Sequence, residues 1–217
     1  MKIAINTSGR SCVLIRALNL SLHPYYTTRL RSRNRDNSTG SYGIQDQRWA
    51  MKWVRENIAY FGGQATAITI MGESAGASSV TLHLVEKASF PYFDRAIIES
   101  GAFNPWVHKP FSHAQDTFDA VATALGCSGE KVVQCLLSKD TVALLNVSDH
   151  SYGNHTILPW GDSFDSSQWA PPVNGSSQLP DYPSSLLMRG QFARDKALLF
   201  GSNRDEWVID KHDKFSC

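Results

Sequence analysis

The stretch Gly72-Glu73-Ser74-Ala75-Gly76 decides the fold of this chain. It follows the β-favouring run Ala-Ile-Thr-Ile-Met at 67–71 and precedes a helix-compatible segment at 75–85. A serine between two glycines at a strand-to-helix turn predicts a nucleophile elbow, because the strained backbone presents the hydroxyl and a Cβ at either glycine would crowd the turn. A Gly/Ser turn without chemistry is the alternative, since the bare pattern is common.

The elbow also predicts which atoms act. Ser74 Oγ would be the nucleophile of an acyl transfer. The backbone N–H of Ala75, at the start of the following helix, would point toward the oxygen that becomes negative during the reaction.

Length and charge limit the classes of function. The chain has 217 residues, enough for one sizeable core, and its formal net charge is +1, so neither nucleic acid nor an anionic membrane is predicted as a partner. The arginine-rich piece at 29–35 is interpreted as a solvated segment. No apolar stretch is long enough for a transmembrane helix, and no targeting segment is evident.

The elbow lies within a predicted β-α-β unit. Residues 1–40 show no sustained period and end in a polar, basic segment, so they are predicted to be poorly ordered or to form a junction. Trp49, Trp53 and Val54 recur at helical spacing within a predicted helix at 46–61. The strand before the elbow, the helix after it and a second apolar strand at 95–100 predict a parallel sheet.

Further elements are predicted downstream. Ser112 resembles the start of a capping box for a helix that ends before Gly126, and a short helix is predicted at 130–137. Residues 146–184 are predicted to form long surface loops. A short helix at 184–189 then leads into a predicted buried strand at 197–201, whose carboxyl end carries a loop where α/β sheets place ligands.

Cysteines and sequons bear on the compartment. The spacing of Cys127 and Cys135 permits a small disulfide loop, with two buried free thiols as the alternative. Together with possible glycosylation sites, a disulfide favours a secreted or secretory-pathway protein. The Asn-x-Ser/Thr sequons begin at Asn6, Asn19, Asn37, Asn146, Asn154 and Asn174.

Several further segments, in order, resemble the type-B carboxylesterase and cholinesterase family of the α/β-hydrolase fold. The resemblance covers about residues 40–207 and implies an incomplete α/β-hydrolase domain at 41–217, a mostly parallel sheet flanked by helices. The segments that carry it are Gly43-Ile44-Gln45-Asp46-Gln47-Arg48, Trp53-Val54-Arg55-Glu56-Asn57-Ile58, Phe61-Gly62-Gly63, the elbow, Ala96-Ile97-Ile98-Glu99-Ser100-Gly101, the two cysteines, Pro172-Val173-Asn174-Gly175 and Leu199-Phe200-Gly201-Ser202-Asn203-Arg204-Asp205-Glu206.

The resemblance implies roles residue by residue. Ser74 matches the nucleophile, Ala75 an oxyanion-binding N–H donor and Glu206 the triad acid, for which a solvated loop carboxylate is the alternative. Glu73 would support the catalytic histidine electrostatically or have a buried structural role. Trp106 would line the acyl pocket or simply pack in the core.

Two expected features have no match. His212 is the one histidine after Glu206 and is too close to it, so the triad histidine is not identifiable in this chain. The glycine-rich oxyanion loop expected before residue 40 has no counterpart either. Solvated or structural roles are expected for His83, His108, His113, His150 and His155.

The predicted function is therefore carboxylic ester hydrolysis through an acyl-serine intermediate, on a small-molecule ester and without a metal or organic cofactor. Because of the two unmatched features, a catalytically inactive fragment is an alternative. A non-catalytic adhesion or binding protein of the cholinesterase-like fold is another, disfavoured by the intact Ser74.

Overall fold

The computed structural model describes residues 2–5, 11–14, 41–103, 108–148, 171–173 and 179–205. The strands are β1 (Lys2–Ile5), β2 (Ser11–Leu14), β3 (Ile68–Glu73), β4 (Arg95–Glu99), β5 (Lys109–Pro110), β6 (Pro172–Val173) and β7 (Ala197–Gly201). The α-helices are α1 (Tyr42–Asn57), α2 (Ala75–Val85), α3 (Phe111–Ala124), α4 (Val132–Leu137), α5 (Thr141–Ser148) and α6 (Pro183–Met188). Short 3-10 helices span Ile58–Phe61, Lys87–Tyr92 and Gly129–Lys131.

Five strands form the main sheet in the order β1-β2-β3-β4-β7. The pairs from β2 through β7 are parallel, whereas β1 and β2 are antiparallel. β5 and β6 form a separate parallel pair. The β3-α2-β4 unit therefore has the arrangement predicted from the sequence, with a mostly parallel sheet and helices packed against it.

Two strands occur in the segment that was predicted to be poorly ordered. Val13 of β2 lies opposite Ile70 of β3, so β2 extends the sheet on the side away from β4. For β1 and β2 the structure differs from the prediction, because a four-residue strand is too short to show a period and is specified by its distant partner. The other residues of 1–40 lie outside the described residues, and the domain boundary at 40 stays a prediction.

The main core lies between the sheet and two helices. Ile68 and Ile70 of β3 pack in one cluster with Val54 of α1 and with Val80 and Leu84 of α2, all almost completely inaccessible to solvent. α2 contacts β3 and β4 as well as α1 and α6, and every residue from position 76 to 85 is buried. This enclosure holds the turn before α2 in a rigid setting.

The predicted burial of the strand at 197–201 is wrong. β7 is exposed along its whole length, with Leu199 61% and Phe200 49% accessible, because its main contact among the described residues is the neighbouring strand β4, and no described helix packs closely over its faces. On α1 the buried stripe runs through Met51 and Val54, whereas Trp49 and Trp53 are exposed. Apolar spacing alone could not distinguish the inner from the outer side of this helix, because large apolar residues occur on both.

α3 and α5 differ from the sequence-based prediction in ways that have a local cause. α3 begins at Phe111 with Pro110 as its N-cap, so Ser112 lies inside the first turn and makes no capping box. Pro110 is also the last residue of β5. Its extended backbone leads directly into the first turn of α3. α5 was not predicted. It runs to Ser148, into the region interpreted as loops, and Asp140 Oδ1 caps it by accepting from Ala143 N–H at 2.9 Å.

Candidate active site

Ser74 stands at the turn between β3 and α2 in an unusual backbone conformation. Its φ of 53° and ψ of −120° lie outside the regions that residues with a Cβ normally occupy. Glu73, Ser74 and Ala75 are exposed, although the residues around them are buried. The structure therefore has the strained and accessible turn expected of a nucleophile elbow.

Close backbone packing explains the first glycine of the motif, Gly72. A Cβ on Gly72 would overlap the backbone carbonyl of Gly76 and would lie 2.7 Å from the backbone nitrogen of Ala77. No side-chain rotation relieves such overlaps, because the opposing atoms belong to the first turn of α2. This confirms the expectation that only glycine fits at position 72, two residues before Ser74.

A further glycine supports the turn and was missed by the sequence reasoning. A Cβ on Gly101, just beyond β4, would lie 2.7 Å from the carbonyl oxygen of Ser74. The preceding Ser100 has a φ of 52°, and Glu99 accepts a hydrogen bond from Ser74 N–H at 3.0 Å. The signals in the sequence were the position of Gly101 after the predicted strand and its place in a segment that resembles the family.

The first turn of α2 leaves backbone donors at the serine. Ala75 is the first helical residue, so its N–H has no acceptor within the helix. The carbonyl of Ser74 accepts from Ser78 N–H at 3.0 Å and from Ser78 Oγ at 3.2 Å, and the carbonyl of Ala75 accepts from Ser79 Oγ at 3.1 Å. A helix start of this kind stabilises negative charge beside the serine.

The carboxyl ends of three parallel strands meet at this edge of the sheet. β3 ends at Glu73 and β4 at Glu99, which lie opposite each other, and Glu99 lies opposite Gly201 of β7. Ser100 N–H donates to Gly201 O at 2.8 Å. This hydrogen bond joins the end of β7, where the last loop begins, to the residue that follows β4. The exposed loop 202–205 therefore begins at the same edge as Ser74.

Two of the predicted site residues lie outside the described residues. These are Glu206, the proposed acid, and Trp106, the proposed pocket residue. Glu206 directly follows the last described residue of the loop after β7. His150, His155 and His212 also lie outside the described residues, and the side chain of His113 is not described.

The two histidines whose side chains are described have buried positions. His108 is 8% exposed and makes an edge-on contact with Tyr182, with ring centroids 5.0 Å apart. His83, on α2, is completely buried in a polar network that joins α1 to the segment after α2. This supports the structural role expected for His83.

The network around His83 is continuous. Its Nε2 lies 3.0 Å from Gln47 Oε1, and its Nδ1 lies 2.9 Å from Ser89 Oγ. Ser89 Oγ donates to Glu86 Oε2 at 2.7 Å, and Glu86 Oε1 accepts from the Arg48 guanidinium at 2.6 Å. Every polar side chain in this buried layer has a partner, as burial requires.

Glu86 is held in its charged form. Its burial alone would raise the pKa of the carboxyl, but the nearby His83 ring, the Ser89 hydroxyl that donates to the carboxylate and the Arg48 guanidinium together bring that pKa below its ordinary value. The sequence reasoning missed Arg48 and Glu86 as a pair because 38 residues separate them.

Cys127 and Cys135 form the disulfide that their spacing permits. Their α-carbons are 5.6 Å apart, and the bond closes the loop between α3 and α4. Cys127 packs with Phe118, Leu136 and Leu144 in a second apolar cluster. Free thiols, the alternative interpretation, are thereby excluded for this pair.

Within the described ranges, no group of histidine, cysteine and carboxylate side chains could hold a metal ion. In the same part of the chain, no helix has both the length and the apolarity to cross a membrane.

Comparison with known proteins agrees with this geometry. The family model described as "Carboxylesterase family" matches residues 30–214. A mouse (Mus musculus) cholinesterase is 42% identical over 171 residues, which cover 77% of this chain and 27% of the mouse protein. The acetylcholinesterase of Danio rerio is 37% identical over 171 residues, covering 77% and 26%. Acetylcholinesterase 1 of Caenorhabditis briggsae is 36% identical over 184 residues, covering 81% and 28%.

The chain thus spans about a quarter of the length of these relatives. Most of its own length matches the family model, including the elbow, the disulfide and the strand before the last described loop. The chain therefore belongs to the carboxylesterase family and has the α/β-hydrolase fold.

Proposed function

We propose that the protein to which this chain belongs hydrolyses small-molecule carboxylic esters through an acyl-enzyme formed on Ser74. The observation that carries the proposal is the strained, exposed Ser74 at the start of α2, with the backbone of Gly72 and Gly101 packed against the turn. Membership in the carboxylesterase family supports the same class of reaction.

The reaction proceeds in two halves. Ser74 Oγ attacks the carbonyl carbon of the ester while a histidine base, which the described residues do not supply, takes the hydroxyl proton. The carbonyl oxygen becomes negative beside the N–H of Ala75. The carbon–oxygen bond to the alcohol then breaks, and the alcohol leaves with the proton. Water attacks the acyl-serine in the same way and releases the acid.

Three other residues have proposed roles. Glu206 would orient the histidine and stabilise its charged form, since it follows the loop that begins at the carboxyl edge of the sheet. Glu73 is exposed next to Ser74 and would add negative charge near the same histidine. Trp106 would line the pocket for the acyl group.

A fluorophosphonate probe tests the nucleophile. The full-length protein should react with the probe, and peptide mass spectrometry should locate the phosphonyl group on Ser74. Ser74→Ala should abolish both labelling and hydrolysis of a chromogenic acyl ester. Ser112→Ala, which removes an exposed serine on α3, is the matched control and should leave both unchanged.

Each outcome distinguishes among the alternatives. A folded full-length protein that neither reacts with the probe nor hydrolyses esters would refute the proposal and favour a non-catalytic adhesion or binding role. If the full-length protein is labelled and the 217-residue chain is not, the chain alone is a catalytically inactive piece and the proposal holds for its parent.

A further inference from the structure

One of the sequons falls on a helix that the structure describes. Asn146-Val147-Ser148 meets the rule for N-glycosylation, since its middle residue is not proline. Asn146 lies in the last turn of α5 and is exposed. The asparagines of the remaining sequons, which lie outside the described residues, are Asn6, Asn19, Asn37, Asn154 and Asn174.

The packing of α5 directs Asn146 away from the core. Leu144 is 4% exposed and belongs to the cluster that contains Cys127, and Val147 packs beside Val121 of α3. These contacts, together with the Asp140 cap, determine which side of α5 faces the core. The side chain of Asn146 makes no hydrogen bond to any residue that the structure describes, so a substituent on its amide nitrogen would break no contact there.

An exposed apolar residue lies one turn before Asn146. Val142 is 64% accessible, and residues at positions i and i+4 of a helix lie on the same side. Side chains of a helix lean toward its N-terminus, so a group attached to Asn146 would extend over Val142. A carbohydrate at this position would therefore cover an apolar side chain.

The disulfide of the neighbouring loop points to the compartment where such a modification occurs. Disulfides persist in oxidising environments such as the secretory pathway, which is also where sequons are glycosylated. Cys127 and Asn146 belong to the same small group of packed helices, α3 to α5. The two features are independent and agree on one compartment.

We infer that Asn146 is an N-glycosylation site whose carbohydrate covers Val142 on the outer side of α5. In the transfer, Asn146 Nδ2 forms a bond to C1 of the first sugar of a lipid-pyrophosphate-linked oligosaccharide. The bond between C1 and the pyrophosphate oxygen breaks, the lipid pyrophosphate leaves, and the amide nitrogen loses one proton.

Mass spectrometry provides the test. The 217-residue chain, with a cleavable secretory leader, is expressed in a eukaryotic cell and recovered from the lumen or the medium. It is then treated with peptide N-glycosidase in ¹⁸O-labelled water. We expect fragment spectra to show ¹⁸O-labelled aspartate at position 146. The label should be lost in Asn146→Gln and Ser148→Ala and retained in Ser148→Thr, which keeps the sequon. The glycosidase does not act on the unmodified amide, so unlabelled asparagine at position 146 in all of the recovered wild type would overturn the inference.

A second measurement tests the covering of Val142. Removal of the carbohydrate from the native protein should increase the fluorescence of an apolar dye, and Val142→Ser should reduce that increase. An equal increase in both proteins would contradict the proposed position of the carbohydrate over Val142.

Discussion

Gly101 lies directly against the carbonyl of Ser74, so that a Cβ at position 101 would be 2.7 Å from Ser74 O. The end of β4 and the nucleophile turn are therefore packed backbone to backbone. The hydrogen bond from Ser74 N–H to Glu99 O, 3.0 Å long, adds a second link between the same two segments. Because of this packing, the conformation of Ser74 depends on a strand that is distant in sequence as well as on its own motif.

The first prediction concerns Gly72, two residues before Ser74. Gly72→Ala places a Cβ against the backbone of Gly76 and Ala77, which cannot rotate away. We expect the free energy of unfolding, measured by urea denaturation, to fall by about 3 kcal/mol. This loss is at the upper end of the range that is typical of overpacked substitutions. The matched control is Gly201→Ala, where a Cβ meets nothing within 4 Å and the expected change is within about 0.5 kcal/mol. Equal effects of the two substitutions would contradict the close packing at the elbow.

The second prediction concerns the buried ion pair between α1 and the end of α2. Arg48→Leu leaves the carboxylate of Glu86, whose side chain is 4% exposed, without its guanidinium partner. We expect a loss of about 3 kcal/mol in stability, because removing one member of a buried pair leaves an uncompensated charge.

Arg189→Leu is the control for this pair. It breaks the ion pair with Asp181, in which Arg189 is 51% exposed, and should cost at most about 1 kcal/mol. Both free energies come from urea titrations of the 217-residue chain. A loss below 1 kcal/mol for Arg48→Leu would show that Glu86 does not need the guanidinium.

The third prediction is a pH dependence of stability. The pKa of Glu86 in the folded protein lies below its ordinary value of 4.5. In acid the unfolded state therefore binds more protons than the folded state, and stability rises with pH. The contribution of Glu86 is complete above about pH 4.5 and is lost as the pH falls through the folded-state pKa.

Glu86→Gln isolates this contribution. The difference in unfolding free energy between wild type and variant should be largest near neutral pH and should shrink as the pH falls below 4.5. Glu56→Gln, at a carboxylate 58% exposed on α1, should show little such change. A difference between wild type and Glu86→Gln that does not vary with pH would refute the assignment.

The fourth prediction concerns the disulfide. Cys127 and Cys135 are eight positions apart, and in the chain-entropy model a loop of this size stabilises by about 2–3 kcal/mol. The double variant Cys127→Ala/Cys135→Ala should therefore increase amide hydrogen exchange in α3 and α4, which pack around the bond. Exchange in α2 should be unchanged, because its core contacts belong to another cluster. A uniform increase over both regions would argue against local stabilisation.

The sequence was most informative where the deciding contacts are local. The strand, the elbow and α2 follow one another within twenty residues, and their pattern of β-branched, small and helix-forming residues is consistent throughout. The strained turn at Ser74 and the crowded Gly72 could thus be predicted. The spacing of the cysteines likewise permitted a disulfide that the structure contains.

The sequence was least informative where burial depends on distant partners. Trp49 and Trp53 satisfied the helical period but lie outside the core, whereas the ionisable His83 and Glu86 lie within it. Hydrophobicity could not predict this reversal, because hydrogen bonds and ion pairs from another helix make the burial of the polar groups possible. The exposure of β7 reflects the same dependence, since a strand is buried only where other elements cover it.

The sequence by itself determined the family, the sharp turn at Ser74 and the order of strand, helix and strand around it, because these depend on short-range patterns and on the steric needs of glycine. Tertiary structure alone decided that Gly101 supports Ser74, that Arg48 pairs with Glu86 and that β2 lies beside β3. These relationships join residues 27 or more positions apart, and packing and desolvation act on such residues only after the chain has brought them together.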